Sequence, residues 1–172
     1  MLATLPPDEP GYRFGRYALV KDYLPRAFAD GNDLEARAQM MSAAAMGATA
    51  FQKGLGAIHA LSHPLGAMYH THHGTTNAVV MLPVLRSNRP AIETRISAAA
   101  DYLGIDGGFD GFYDFVAALI AQLEIPPNLT ALGVTDPDVD AVVRAALTDP
   151  SAGGNPIEMT YDNTKSLLQS CL

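Results

Sequence analysis

Gly54 to Asn88 reads GLGAIHALSHPLGAMYHTHHGTTNAVVMLPVLRSN and holds every histidine of the protein, His59, His63, His70, His72 and His73. Histidine is the commonest neutral metal ligand, and its ordinary pKa of about 6.5 lies near physiological pH. Five within the fifteen residues His59–His73 therefore point to a metal site or to proton chemistry. Ala57 to Ser62 is expected to be helical, which sets His59 and His63 one turn apart on the same face. Pro64 disfavours helical geometry at His63, so a break is expected there, followed by an irregular loop over Leu65 to His73. That loop brings His73 back fourteen positions after His59. An i, i+4 histidine pair with a third across a loop is a spacing used by Zn²⁺ and Fe²⁺ sites. The competing arrangement has His70, His72 and His73 in an exposed polar loop and His59 packed in the core.

Outward from this stretch the pattern is helical in both directions. Phe14, Ala18, Leu19, Tyr23 and Leu24 recur at helical intervals and predict a helix from Tyr12 to about Phe28, after an extended lead-in over Met1 to Gly11. Asn32 or Asp33 is the expected N-cap of the next helix, Leu34 to about Lys53, whose small residues suggest a buried central element. Gly74 to Asn88 reads as a helix kinked at Pro83, and Pro90 to Tyr102 as a separate one. Phe109 to Leu123, Asp136 to Leu147 with Asp136 as N-cap, and Asn163 to Leu172 complete the set, with a loop over Asp149 to Pro156. Strand signals are nearly absent. The expected fold is all-α, an irregular multi-helix bundle in which residues 1–172 form a single helical domain of metal-binding type.

Composition narrows the function classes. With 172 residues, 48% hydrophobic and 17% charged, the chain has enough apolar material for a real core. A formal charge of −7 without a basic stripe argues against nucleic acid as a partner. No segment has the length and apolarity of a membrane span or the layout of a secretory signal, so neither membrane nor export is expected. Cys171 is the one cysteine and forms no internal disulfide, which leaves the cytoplasm as the expected compartment.

The same histidine stretch resembles the signature of the iron-containing, or group III, alcohol dehydrogenases, approximately G-x-x-H-x-x-x-H-P-L-G-A, then an H-G pair and an N-A-ϕ-ϕ-ϕ-P helix. Less sharply, Leu24–Phe51 resembles the helices that precede it in that family, and Asn155-Pro156 with the closing helix resembles its C-terminal end. The whole chain thus resembles the family's C-terminal helical domain. The resemblance implies that His59 and His73 coordinate a catalytic divalent metal, usually Fe²⁺ and sometimes Zn²⁺. It implies that His63 sits beside the substrate and nicotinamide, assisting proton movement or orientation. The implied reaction is reversible hydride transfer between NAD(P) and a small primary alcohol or aldehyde. His70 and His72 depart from the family pattern and receive no assigned role; the alternatives are spare ligands and solvent-facing residues.

Members of that family run to about twice this length, with an N-terminal nucleotide-binding domain that is absent from this chain. Their remaining metal ligands, an aspartate and a histidine four apart, have no counterpart here: Asp22 has Arg26 at that spacing, and Asp30 and Asp33 fall in a turn. The expectation is a truncated member, inactive alone, that takes Fe²⁺ or Zn²⁺ through His59 and His73 and meets NAD(P) only with an N-terminal nucleotide-binding domain as partner. The alternatives are a degenerate helical metal-binding module without redox activity and a protein-interaction module or homo-oligomer.

Overall fold

The computed structural model describes residues 10–50 and 54–172. Met1–Glu9 of the expected lead-in and Phe51–Lys53 of the second expected helix lie outside the described residues. Seven α-helices and no strand occur among the described residues, in the order α1 (Pro10–Ala29), α2 (Leu34–Ala50), α3 (Ala57–Tyr69), α4 (His73–Tyr102), α5 (Gly108–Gln122), α6 (Val139–Thr148) and α7 (Tyr161–Gln169). A short 3₁₀ turn, Ala152–Gly154, lies between α6 and α7. The fold is all-α, as the periodicity implies. None of the described helices is long and apolar enough to cross a membrane.

The chain forms two compact units. The first takes the described parts of Met1–Gln52 together with Thr94–Phe115, which is α1, α2, the end of α4 and the start of α5. Its apolar centre is aromatic: Phe14 lies 5.8 Å from Tyr102, and Tyr17 meets Phe112 edge to face at 6.2 Å between centroids. Asp33 caps α2 by accepting the Ala36 N–H at 3.0 Å, and Arg26 pairs with both Asp33 and Glu35. The Ala36 hydrogen bond holds the Asp33 carboxyl below its ordinary range, helped by Arg26. The expected burial of α2 does not occur. Only Ala36 and Ala43 are buried on it, and Leu34 and Met41 are exposed, because its apolar residues are spread around the helix instead of forming one stripe.

The second unit, Lys53–Glu93 with Val116–Leu172, holds the histidine stretch. Leu61 and Leu65 of α3, Val80 of α4, Val142 and Val143 of α6 and Leu168 of α7 are each fully buried in one continuous core. Each buried aliphatic side chain of this size contributes about 1.5–3 kcal/mol by leaving water. This explains the first departure from the sequence reading. Pro64 lacks the N–H that would bond to the Ala60 carbonyl, yet α3 runs through it to Tyr69, since Ala57, Ala60, Leu61, Pro64 and Leu65 lie on the stripe that the core buries. Likewise α4 passes through Pro83 and Pro90 as one 30-residue helix instead of two. His73 is consequently the first residue of α4 and not a loop residue.

The remaining boundaries differ by small amounts. Asp138, not Asp136, caps α6, accepting the Ala141 N–H at 3.0 Å, and its own backbone N–H donates to the Tyr69 hydroxyl at 2.8 Å. Thr160 and Asn163 form a capping box at the start of α7. Leu129 N–H donates to the Cys171 carbonyl at 2.7 Å and ties down the C-terminal turn.

One polar contact fixes the entry to α3. Asn155 and Asn88 exchange amide hydrogen bonds of 2.8 and 2.9 Å, while the Asn155 oxygen also accepts the Ala57 N–H at 3.1 Å and its nitrogen donates to the Ile157 carbonyl at 2.8 Å. Gly154 permits the approach, since a Cβ there would collide with the Leu55 carbonyl. Asn155→Ala leaves the buried Asn88 amide unpaired and is expected to cost about 1–3 kcal/mol in urea unfolding. A loss no larger than that of an exposed Asn→Ala change on the same chain contradicts this account.

Candidate metal centre

His59 stands on the first turn of α3, His63 one turn later, and His73 opens α4, so two helix starts are brought face to face. Ring centroids are separated by 5.7 Å for His59–His63, 5.4 Å for His59–His73 and 5.5 Å for His63–His73. Three imidazoles thus form a nearly equilateral cluster. Burial lowers the pKa of His59, and the positive charge that His73 and His63 can carry lowers it further, against a smaller opposing pull from Asp149. Both effects favour the neutral form of His59, the form in which imidazole binds a metal.

Two residues outside the sequence-predicted set complete the arrangement. Asn77, one turn after His73 on α4, has its amide nitrogen 3.1 Å from His73 Nε2 and 3.5 Å from His59 Nε2. Asn77 thus draws the Nε2 edges of His59 and His73 to one side of the cluster. Asn77 Oδ1 is buried without a hydrogen-bond partner, which marks the polar floor of this site as incompletely satisfied by the chain itself. Asp149, at the end of α6, places Oδ2 2.8 Å from His63 Nδ1 and accepts the Ser151 N–H on Oδ1 at 2.8 Å. Burial pushes the Asp149 carboxyl up, but hydrogen bonds from His63 and Ser151 outweigh it and hold the group below the usual carboxylate range.

The other two histidines serve the turn between α3 and α4. His70 adopts the left-handed conformation, φ 56° and ψ 30°, that ends α3, and its N–H donates to the Gly66 carbonyl at 3.0 Å. His72 accepts the Thr75 N–H on Nδ1 at 3.3 Å and caps the start of α4. Both are exposed, and neither is in the three-ring cluster. Asn77 was within reach of the sequence, because an i, i+4 step from His73 puts it on the same helical face. Asp149 carried no such signal, being 86 residues from His63.

The donor set tests what this site accepts. Imidazole nitrogens of the kind His59 and His73 carry are ligands that Fe²⁺ and Zn²⁺ accept. Among the described residues, no group of three or more His, Cys, Asp or Glu side chains is placed to hold a metal ion.

The family model for the Fe-containing alcohol dehydrogenase family, C-terminal, matches residues 13–172. Alcohol dehydrogenase 4 of Schizosaccharomyces pombe is 35% identical over 158 residues, which is 90% of this chain and 37% of that protein. The 4-hydroxybutyrate dehydrogenase of Cupriavidus necator is 38% identical over 159 residues, 87% of this chain and 41% of that protein. A solved 1,3-propanediol oxidoreductase superposes with a TM-score of 0.88 at 27% identity, covering 95% of this chain and 45% of that one. The chain spans about two fifths of the length of these relatives.

The lowered Asp149 carboxyl has a defined pH signature. A carboxyl whose folded pKa is lowered adds stability that is complete above its unfolded value, about 3.9, and disappears as pH falls through the folded value. Asp149→Asn is accordingly expected to unfold at lower urea than the parent at pH 7, with the gap closing below about pH 4. A gap that stays constant down to pH 2 is inconsistent with the pairing.

Proposed function

The chain belongs to the Fe-containing alcohol dehydrogenase family, to whose C-terminal part it corresponds, and on that premise we propose that it is the metal-bearing helical portion of an NAD(P)-dependent alcohol dehydrogenase. The observation that carries the reading is the pair of His59 and His73 Nε2 atoms turned toward one amide, with His63 completing the triangle of rings. His59 and His73 would hold Fe²⁺ or Zn²⁺. Bound there, the ion acts as a Lewis acid that polarises an aldehyde carbonyl or lowers the pKa of an alcohol.

The chain's own residues do the rest. Burial keeps His59 neutral, Asn77 orients the two ligand rings, and His63 receives or returns the proton of a small primary alcohol. Catalytic metal sites take three or more protein ligands, so donors from a nucleotide-binding part complete the sphere. That part also brings NAD(P). The 172 residues alone are inactive in this reading, and the assembled enzyme works in the cytoplasm, where the buried Cys171 thiol, pushed up to about 12 by desolvation, stays protonated and inert.

A second reading, a helical metal-binding or protein-interaction module without redox activity, is favoured by one fact. The described residues supply only part of a coordination sphere.

Zn²⁺ and anaerobic Fe²⁺ titration of the chain, with His59→Ala and His73→Ala alongside, tests the metal assignment. Either substitution is expected to weaken binding more than about a hundredfold, beyond what loss of an outer-shell partner costs. Binding that survives both substitutions refutes His59 and His73 as ligands. Metal binding without dehydrogenase activity on adding the nucleotide-binding part of a matched relative favours the second reading.

A further inference from the structure

His63 Nδ1 is committed to a carboxylate. Asp149 approaches it at 2.8 Å, and the Asp149 side chain is only 13% exposed against 42% for His63. Each carboxylate oxygen has its own donor, Oδ2 the imidazole and Oδ1 the Ser151 N–H. An ionised carboxylate accepts and does not donate, so the shared proton lies on the imidazole side. The carboxylate is also rigidly placed. It belongs to the residue that ends α6, whose N–H bonds back to the Ala146 carbonyl, and Ser151 beside it is buried.

We propose that Asp149 is the positioning residue of this site: it holds the His63 proton on Nδ1 and so leaves Nε2 as the basic nitrogen that exchanges a proton with the substrate hydroxyl. In the oxidative direction the alcohol O–H bond breaks, its proton moves to His63 Nε2 and its electron pair stays on oxygen. NAD(P) held by a nucleotide-binding part would take the hydride from carbon as the C=O bond forms. The resulting imidazolium lies against the Asp149 carboxylate, which offsets its charge. Reduction runs the same path backwards. The use of Nε2 rests on the dehydrogenase reading above, whereas the tautomer is a property of this chain by itself.

Ring-nitrogen ¹⁵N NMR of the full chain, at alkaline pH where the imidazoles are neutral, reads the tautomer directly. His63 is assigned by its loss in His63→Gln. The expected result is a protonated Nδ1 and an unprotonated Nε2 for His63 in the parent chain. Asp149→Ala shifts His63 toward the Nε2–H form with His59 and His73 unmoved, and Asp149→Glu restores the parent pattern. Should Asp149→Ala fail to fold by circular dichroism, the similarly sized Asp149→Leu serves in its place, because its side chain carries no acceptor. A parent His63 protonated at Nε2, or a His63 tautomer unmoved in a folded Asp149 variant, overturns the proposal. Neither outcome bears on the metal titration, so failure of the tautomer and failure of the dehydrogenase reading are distinguished.

Discussion

The reciprocal amide pair between Asn88 and Asn155 is the contact on which the site geometry depends. It joins three segments far apart in sequence: the first turn of α3, the middle of α4, and the loop that follows α6. His59 and His63 ride on the first, His73 opens the second, and Asp149 leads into the third. An amide pair suits this task because each member both donates and accepts, so four polar atoms are paired within a largely buried space at little desolvation cost. A helix start has unpaired N–H groups to satisfy, and the Asn155 oxygen takes that of Ala57.

On this frame the chemistry of the three rings is set by their neighbours and not by histidine itself. His59 is depressed by burial and by the other two rings, and Asn77 gives His59 and His73 a common orientation. Asp149 engages His63 instead, its Oδ2 lying 2.8 Å from Nδ1. One cluster therefore sets like rings in two surroundings, His59 and His73 against an amide and His63 against a carboxylate. Pushing the properties of like groups apart by environment is how acid–base and ligand roles are divided in a shared site.

The prolines show where local reading and packing part. A proline in a helix interior removes one hydrogen bond and crowds the preceding turn, and on that ground breaks are expected at Pro64 and near Pro90. Both helices continue. At Pro64 the residues on either side, Leu61 and Leu65, are fully buried, and the stabilisation from those side chains exceeds the loss of one backbone bond. The second expected helix errs the other way. Its run of small and sulfur-containing residues reads as core, but without a single apolar stripe α2 leaves Leu34 and Met41 exposed.

By itself the sequence determined the helical class, the family, and the placing of His59, His63 and His73 as the residues to watch. Those follow from periodicities and spacings that operate over a few residues, where backbone geometry leaves little choice. Only the tertiary structure decided that α3 runs through Pro64, that His70 and His72 serve a turn, and that Asn77 and Asp149 attend the rings. Partners 86 residues apart are brought together by burial of the α3, α4 and α6 faces in one core, and burial depends on the whole chain.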